Sequence, residues 1–182
     1  DFHKLQVAGI IQETHDTRSY VFAVPDSLRE AFRYRAGQFL TFEVPWDGMQ
    51  LHRCYSLSSA PETDPWPKVT VKRVDDGRIS NWFNDNVRVG DSILVQPPEG
   101  RFSMRSNEGD HGIVLFGGGS GVTPVLSILK SALRTTTRDV KLIYANRDER
   151  SIIFKDELAE LRSANLDQFE IVHRLDDLHG FV

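Results

Sequence analysis

Phe116-Gly117-Gly118-Gly119-Ser120-Gly121-Val122-Thr123-Pro124 decides the fold of this chain. It lies between a continuous apolar run, 113–116, and a helical pattern, 124–133. Glycines in that place let the backbone turn sharply and approach a phosphate, and the unpaired N–H groups of the following helix supply positive potential to hold it. Thr123 suits an N-cap and Pro124 the first helical position, so a helix start is predicted there. A tight strand-to-helix turn without ligand is the competing reading of the same glycines. No Gly-Lys-Ser/Thr follows, so the lysine of a P-loop is missing, and Ser120 lacks the second glycine of a Gly-x-Ser-x-Gly elbow. ATP hydrolysis and serine-based hydrolysis are disfavoured.

Downstream, a strand is predicted at 140–145, a helix at 154–163 and a strand at 169–172. Strand, helix, strand, helix, strand is the order of a parallel sheet built from crossovers. Upstream the grammar differs. Short alternating runs at 5–11, 18–24, 38–44, 51–58, 68–74 and 91–96 predict strands, with one short helix at 80–86. Turn signals such as Asp75-Asp76-Gly77 and Pro97-Pro98-Glu99-Gly100 separate them, which predicts a small antiparallel barrel or sandwich. The polar segment 103–112 is the expected boundary, giving a first domain over 1–104 and a second over 105–182.

Two further constellations carry chemistry. Arg53-Cys54-Tyr55-Ser56 lies on a predicted strand, with Arg53 and Tyr55 on one face and Cys54 and Ser56 on the other. A cation for phosphate, a ring to stack and hydroxyls for a ring edge suit a flat phosphorylated ligand. Tyr55 as core and Arg53 as a solvated strand charge is the alternative. Lys72-Arg73-Val74-Asp75-Asp76-Gly77-Arg78-Ile79-Ser80 then reads as a basic strand end, a turn and a helix start, a second anion-binding geometry.

The 182 residues carry 22 Lys and Arg against 26 Asp and Glu, a net charge of −4, which gives no footprint for a nucleic acid. Hydrophobic residues make up 40%, enough for a core. One cysteine, Cys54, cannot form an internal disulfide or hold a four-thiolate cluster, and the six histidines show no metalloprotease spacing, so no metal site is expected. No apolar stretch is long enough to span a membrane and no signal segment is visible, so no membrane partner and a cytoplasmic location are expected. The chain opens on Asp1 rather than Met, and these residues are expected to be part of a longer product.

Arg-x-Tyr-Ser at 53–56, Gly-x-x-Ser at 77–80 and Gly-Gly-Gly-x-Gly-x-Thr-Pro at 117–124, in this order, resemble the ferredoxin-NADP reductase superfamily. Within it, 53–61, 69–82 and 144–154 are most similar to the FAD/[2Fe-2S] reductase components of bacterial oxygenases, the 3-ketosteroid 9α-hydroxylase and phenylacetyl-CoA oxygenase type. The resemblance implies an FAD-binding antiparallel β-barrel followed by an α/β NAD(P)H-binding domain with a parallel sheet, incomplete in this chain. It also implies hydride transfer from NAD(P)H to FAD and single-electron delivery to an iron-sulfur or oxygenase component. By the same resemblance Arg53 pairs with flavin phosphates, Tyr55 packs on the isoalloxazine and Ser56 hydrogen-bonds near N5. Lys72 and Arg73 border the FAD, and Gly77, Ile79 and Ser80 cradle its pyrophosphate. Gly118, Gly119, Gly121 and Thr123 hold the nicotinamide nucleotide, Ser56 and Thr123 lying closest to the hydride path.

Asn146, Arg147 and Asp148 follow the second parallel strand, where an acid accepts from a ribose 2′-OH and Arg or Ser holds a 2′-phosphate. The residues admit both donors; the resemblance leans to NADH. The family's later Cys-Gly-Pro segment and the Cys-x4-Cys-x2-Cys ferredoxin domain have no counterpart before Val182. The functional protein is therefore expected to continue past Val182 into the rest of the nicotinamide domain and a [2Fe-2S] domain. A flavohaemoglobin-type or free-flavin reductase, and a non-catalytic FAD-binding electron-transfer subunit, are the alternative functions.

Overall fold

The computed structural model describes residues 1–104 and 109–180. The expected boundary at 104/105 and the expected continuation at Val182 fall at residues outside that description. Nine strands and four helices follow one another as β1 His3–Thr14, β2 Thr17–Ala23, β3 Phe39–Trp46, β4 Met49–Ser56, β5 Lys68–Lys72, α1 Arg78–Asn86, β6 Ser92–Val95, β7 Ile113–Gly118, α2 Val122–Thr135, β8 Val140–Asn146, α3 Lys155–Ala164, β9 Phe169–Leu175 and α4 Asp176–His179.

The first six strands form one antiparallel sheet in the order β4-β3-β6-β1-β2-β5. An isolated bridge between Leu57 and Val69 joins the ends of its two edge strands, which closes the sheet on itself as a barrel. Alternation drives this: Leu40, Phe42 and Val44 on β3 and Tyr20 and Phe22 on β2 point inward and are fully buried. Phe83 of α1 plugs the interior, its ring 5.3 Å from both Tyr20 and Phe42. The expected strands are present but differ at their ends. β4 starts two residues earlier than predicted because Asp47 and Gly48 adopt positive φ and make a two-residue hairpin turn between Trp46 and Met49. β5 stops at Lys72, two residues short of the prediction.

The second unit is a three-stranded parallel sheet, β7-β8-β9, as predicted. Leu126 and Leu129 of α2, Leu158 of α3 and Leu142, Tyr144 and Phe169 of the sheet form its core. The helix start differs from the expectation. A 3-10 turn over Gly119–Gly121 winds straight into α2, so Gly121 takes the cap position and Val122 is the first helical residue. Thr123 is in the first turn and donates from Oγ1 to the Ser120 carbonyl at 3.1 Å. Pro124, the third helical residue, is tolerated there because the first-turn N–H groups have no intrahelical partner in any case. α1 likewise starts at Arg78, capped by Gly77, rather than at Ser80. On the sheet face away from α2, Val114 is 56% and Phe116 69% exposed.

α2 is buried on two sides. Its apolar side packs on the sheet, while Ser127, Lys130 and Ser131, spaced as one helical face, are buried toward the barrel. The Ser127 hydroxyl donates to the Ser59 carbonyl at 2.5 Å and accepts from the Gly37 amide at 3.3 Å. The Lys130 ammonium sits 2.9 Å from Asp64 of the barrel and 2.7 Å from Glu157 of α3; Lys68 of β5 reaches Glu157 at 3.2 Å. This polar joint holds the middle of α2 against one side of the barrel.

Candidate cofactor site

A cavity of about 350 Å³ lies where the barrel meets the start of α2. Arg53, Tyr55 and Ser56 enter it from β4, Thr70 and Lys72 from β5, Gly77, Ile79 and Ser80 from the start of α1, and Ser120 and Thr123 from the glycine turn. Residues up to 70 positions apart in sequence thus line one cavity. The cationic side chains around it are Arg53, Lys72 and Arg78, and none of its lining residues is acidic. A phosphorylated ligand fits that charge balance.

Each wall has a local reason. Tyr55 is wedged against the core, its ring 6.0 Å from Phe42 and 5.5 Å from Phe83, so the ring plane is fixed before any ligand arrives. Burial pushes its phenol up to about 12, so it stays neutral and able to stack. Tyr55 thus packs on the core and lines the cavity at once. Gly77 is required: a Cβ there would clash with Ser80 Oγ and meet the Val74 carbonyl at 2.9 Å. With Gly77 as cap, the first N–H groups of α1 are free for an anion.

The glycine turn faces the same space. Gly119 takes φ +48°, and a Cβ at Gly118, Gly119 or Gly121 would meet nothing within 4 Å, so these positions leave an open cradle. Gly117 differs, since a Cβ there would crowd Val122 and Tyr144 at 3.3 and 3.4 Å. It is a packing glycine that brings β7 close to α2. Gly119 borders a second space of about 290 Å³ with Asn146, Arg147, Ser151 and Asp176, and Lys72 lines both spaces. Asn146 is 6% exposed and neither of its amide atoms has a hydrogen-bond partner among the described residues. A buried amide left unpaired is costly, and this one lines the second space.

Two predicted residues stand apart. Arg73 turns away and bonds Asp85 at 2.6 Å. The Asp148 carboxylate accepts from the Ser151 amide at 2.9 Å and the Ser151 hydroxyl at 2.8 Å, and the Ser151 bond holds its carboxyl below the usual range. Thr70 and Arg78 were not among the expected site residues. Thr70 alternates with Lys72 on β5, so the same period-two argument reaches it. A larger cavity of about 740 Å³ at the far end of α2 gathers Arg35, Arg134 and Arg138 but no residue of the sequence constellations.

The sequence profile of the oxidoreductase FAD-binding domain family matches residues 4–104, more than half of the chain. The chain belongs to that family. The oxidoreductase NAD-binding domain family matches 115–179, the parallel unit. Among curated relatives of this FAD-binding family, the chain is 52% identical to the 3-ketosteroid-9-alpha-monooxygenase ferredoxin reductase component of Rhodococcus rhodochrous, over 97% of this chain and 50% of that protein. It is 35% identical to the glycine betaine monooxygenase reductase subunit of Chromohalobacter salexigens, over 88% of this chain and 43% of that protein. The chain spans about half the length of these relatives. The flavohem-like FAD/NAD-binding domain of a nitric oxide dioxygenase from Vibrio cholerae superposes with a TM-score of 0.81 at 27% identity, covering 96% of this chain and 75% of that one. Barrel and parallel unit are thus an FAD-binding and an NAD-binding oxidoreductase domain. Among the described residues no helix is long and apolar enough to cross a membrane, and no group of three or more His, Cys, Asp or Glu could hold a metal ion.

Proposed function

We propose that this chain is the FAD- and NAD(P)H-binding part of a cytoplasmic reductase component that supplies an oxygenase through an iron-sulfur centre. The single cavity that brings Arg53, Tyr55 and Ser56 together with Ser120 and Thr123 carries the reading. The relatives named as reductase components of a monooxygenase support the choice of acceptor. The division 1–104 for FAD and 105–182 for the nicotinamide nucleotide follows the same reading. An iron-sulfur cluster needs four thiolates, and Cys54 is the one cysteine here, so the cluster is assigned to residues other than these.

When bound, FAD accepts a hydride as two electrons and releases electrons singly. The residues do the rest. Arg53 and the free N–H groups of α1 take the pyrophosphate, with Lys72 beside them. Tyr55 stacks and Ser56 offers its hydroxyl to the ring edge. Gly118, Gly119 and Gly121 would hold the donor's phosphates, and Thr123 and Ser120 would bring its reactive end to the cavity that Ser56 also lines. Holding both ligands at one cavity would remove the orientational cost of a bimolecular encounter.

Purified protein is expected to bind FAD and to oxidise NADH with ferricyanide; a folded preparation that takes up no FAD on titration overturns the reading. The donor is expected to be NADH. Ser151 already gives its hydroxyl and its amide to Asp148, so it is not free to donate to a 2′-phosphate. kcat/KM is expected to be about tenfold higher with NADH than with NADPH, the worth of about 1.4 kcal/mol. A higher kcat/KM with NADPH reverses the assignment.

A further inference from the structure

Behind Thr70, on the outer face of the barrel, four polar side chains form a continuous line. Thr70 Oγ1 is 2.8 Å from Ser58 Oγ and 2.7 Å from Ser19 Oγ, and Ser19 Oγ donates to Glu13 Oε1 at 2.5 Å. Thr70 lines the cofactor cavity and is 4% exposed; Ser19 and Ser58 are fully buried. Glu13 at the other end is only partly buried. Strand pairing explains the first contact, since Ser19 and Thr70 are direct partners across β2 and β5. The last has its own device: the register shift between Gln12 and Thr14 leaves Glu13 as the extra residue of a β-bulge.

Each hydroxyl owns one hydrogen, which fixes the direction of the line. Ser19 gives its hydrogen to Glu13, so Thr70 must give its own to Ser19, while Ser58 has the Thr70 hydroxyl at 2.8 Å and the Lys68 carbonyl at 3.3 Å as acceptors. The Thr70 and Ser19 hydrogens both point from the cavity toward the carboxylate. We infer that Thr70, Ser19 and Glu13 form a proton relay between the cofactor cavity and solvent, with Glu13 as the exchanging group. The inference rests on the proposed function, because oxidation of one NADH to NAD⁺ by two one-electron acceptors leaves one proton to be shed. That proton adds to the Thr70 oxygen as the Thr70 hydrogen passes to Ser19 and the Ser19 hydrogen to Glu13. One O–H bond forms and one breaks at each hydroxyl. Glu13 becomes a neutral acid and then hands its proton to water.

The groups facing Glu13 suit an exchanging acid. Burial raises its pKa, the Ser19 bond and the Lys68 charge of β5 lower it, and Glu157 of α3 raises it again; the net direction is up. Lys130 of α2 and Asp64 complete the charged surroundings through Glu157. A line of hydroxyls that only knits strands together has no need of a carboxylate at its wet end.

Two readouts test the relay. Without cofactor, the carboxyl carbon resonance of Glu13 in the full chain is expected to titrate above the ordinary 4.5; a midpoint at or below that value overturns the relay. With FAD bound, NADH-reduced protein is mixed with ferricyanide in weak buffer containing a pH-indicator dye. Glu13→Gln and Thr70→Val are expected to slow proton release about 100-fold, the low end of a placed proton acceptor's contribution, and Glu13→Asp to recover part of it. Reduction of the flavin by NADH keeps its rate in Glu13→Gln and Glu13→Asp, since Glu13 lies outside the cofactor cavity. Should Thr70→Val fail to fold, Glu13→Gln at the solvent end decides. Unchanged proton release in Glu13→Gln, with FAD bound and reducible, overturns the relay alone. Absence of FAD binding overturns the proposed function instead, and leaves the Glu13 titration as the test of the line.

Discussion

Lys130→Met is expected to cost about 3 kcal/mol of folding stability, the low end for removing one partner from a buried ion pair. The Lys130 side chain is 9% exposed and lies between Asp64 and Glu157 at 2.9 and 2.7 Å. Taking it away leaves two carboxylates close together, with Lys68 the remaining cation against Glu157. The low end applies because Asp64 and Glu157 keep 20% and 28% of their side-chain exposure, so water relieves part of the charge. Methionine keeps the stem volume, which confines the loss to electrostatics. Urea unfolding measures it, and a change below about 0.5 kcal/mol, the usual scatter of surface substitutions, shows the joint to be inert.

The joint also has a pH signature. Burial raises the Asp64 carboxyl, but Lys130, the Ala60 amide and Thr63 outweigh it, and the folded pKa lies below the ordinary 3.8. A group lowered on folding contributes stability that is fully present above the unfolded pKa and is lost as pH falls through the folded one. Wild-type stability is therefore expected to fall below about pH 4, and Lys130→Met to flatten that fall. Because α2 runs from this joint to Thr123, the variant is expected to slow hydride transfer more than it weakens FAD binding, which stopped-flow reduction and flavin titration separate.

What the sequence discloses follows from the range of the physics involved. The barrel strands are legible because inward residues such as Leu40, Phe42 and Val44 alternate with outward ones, a pattern written within eight residues. The parallel unit is legible because its helix and strand patterns alternate and glycines mark the first turn. The start of α2 is misread by one or two residues because nothing local distinguishes a 3-10 turn over Gly119–Gly121 from a loop capped by Thr123. The joint is illegible for a different reason. Asp64, Lys68, Lys130 and Glu157 each read as a surface charge, and Lys68 meets Glu157 across 89 residues of chain. Glu13 is hidden likewise, since its contact with Ser19 depends on a bulge that no local signal announces. Arg53, Tyr55 and Ser56 are legible as a set, whereas Arg73, equally basic and equally placed in sequence, is spent on Asp85.

That contrast gives the second large effect. Arg53→Ala is expected to weaken FAD binding by about 1.5–3 kcal/mol, the range for a charge-assisted hydrogen bond, which is about 10- to 150-fold in Kd. Arg53 lines the cavity and makes no hydrogen bond or ion pair with another described residue, so its guanidinium is available to a pyrophosphate. Arg73 has a carboxylate partner at 2.6 Å and does not line the cavity, so Arg73→Ala is expected to leave Kd within about twofold. Arg53→Lys keeps the charge but loses the planar fork, and falls between the two. Raising the salt concentration should narrow the gap between wild type and Arg53→Ala, since an exposed cation acting on a phosphate is screened within about 8–10 Å. Titration of FAD into apoprotein, followed by flavin fluorescence, measures all three variants. Equal losses for Arg53→Ala and Arg73→Ala would mean that a diffuse positive field, rather than a placed guanidinium, holds the cofactor.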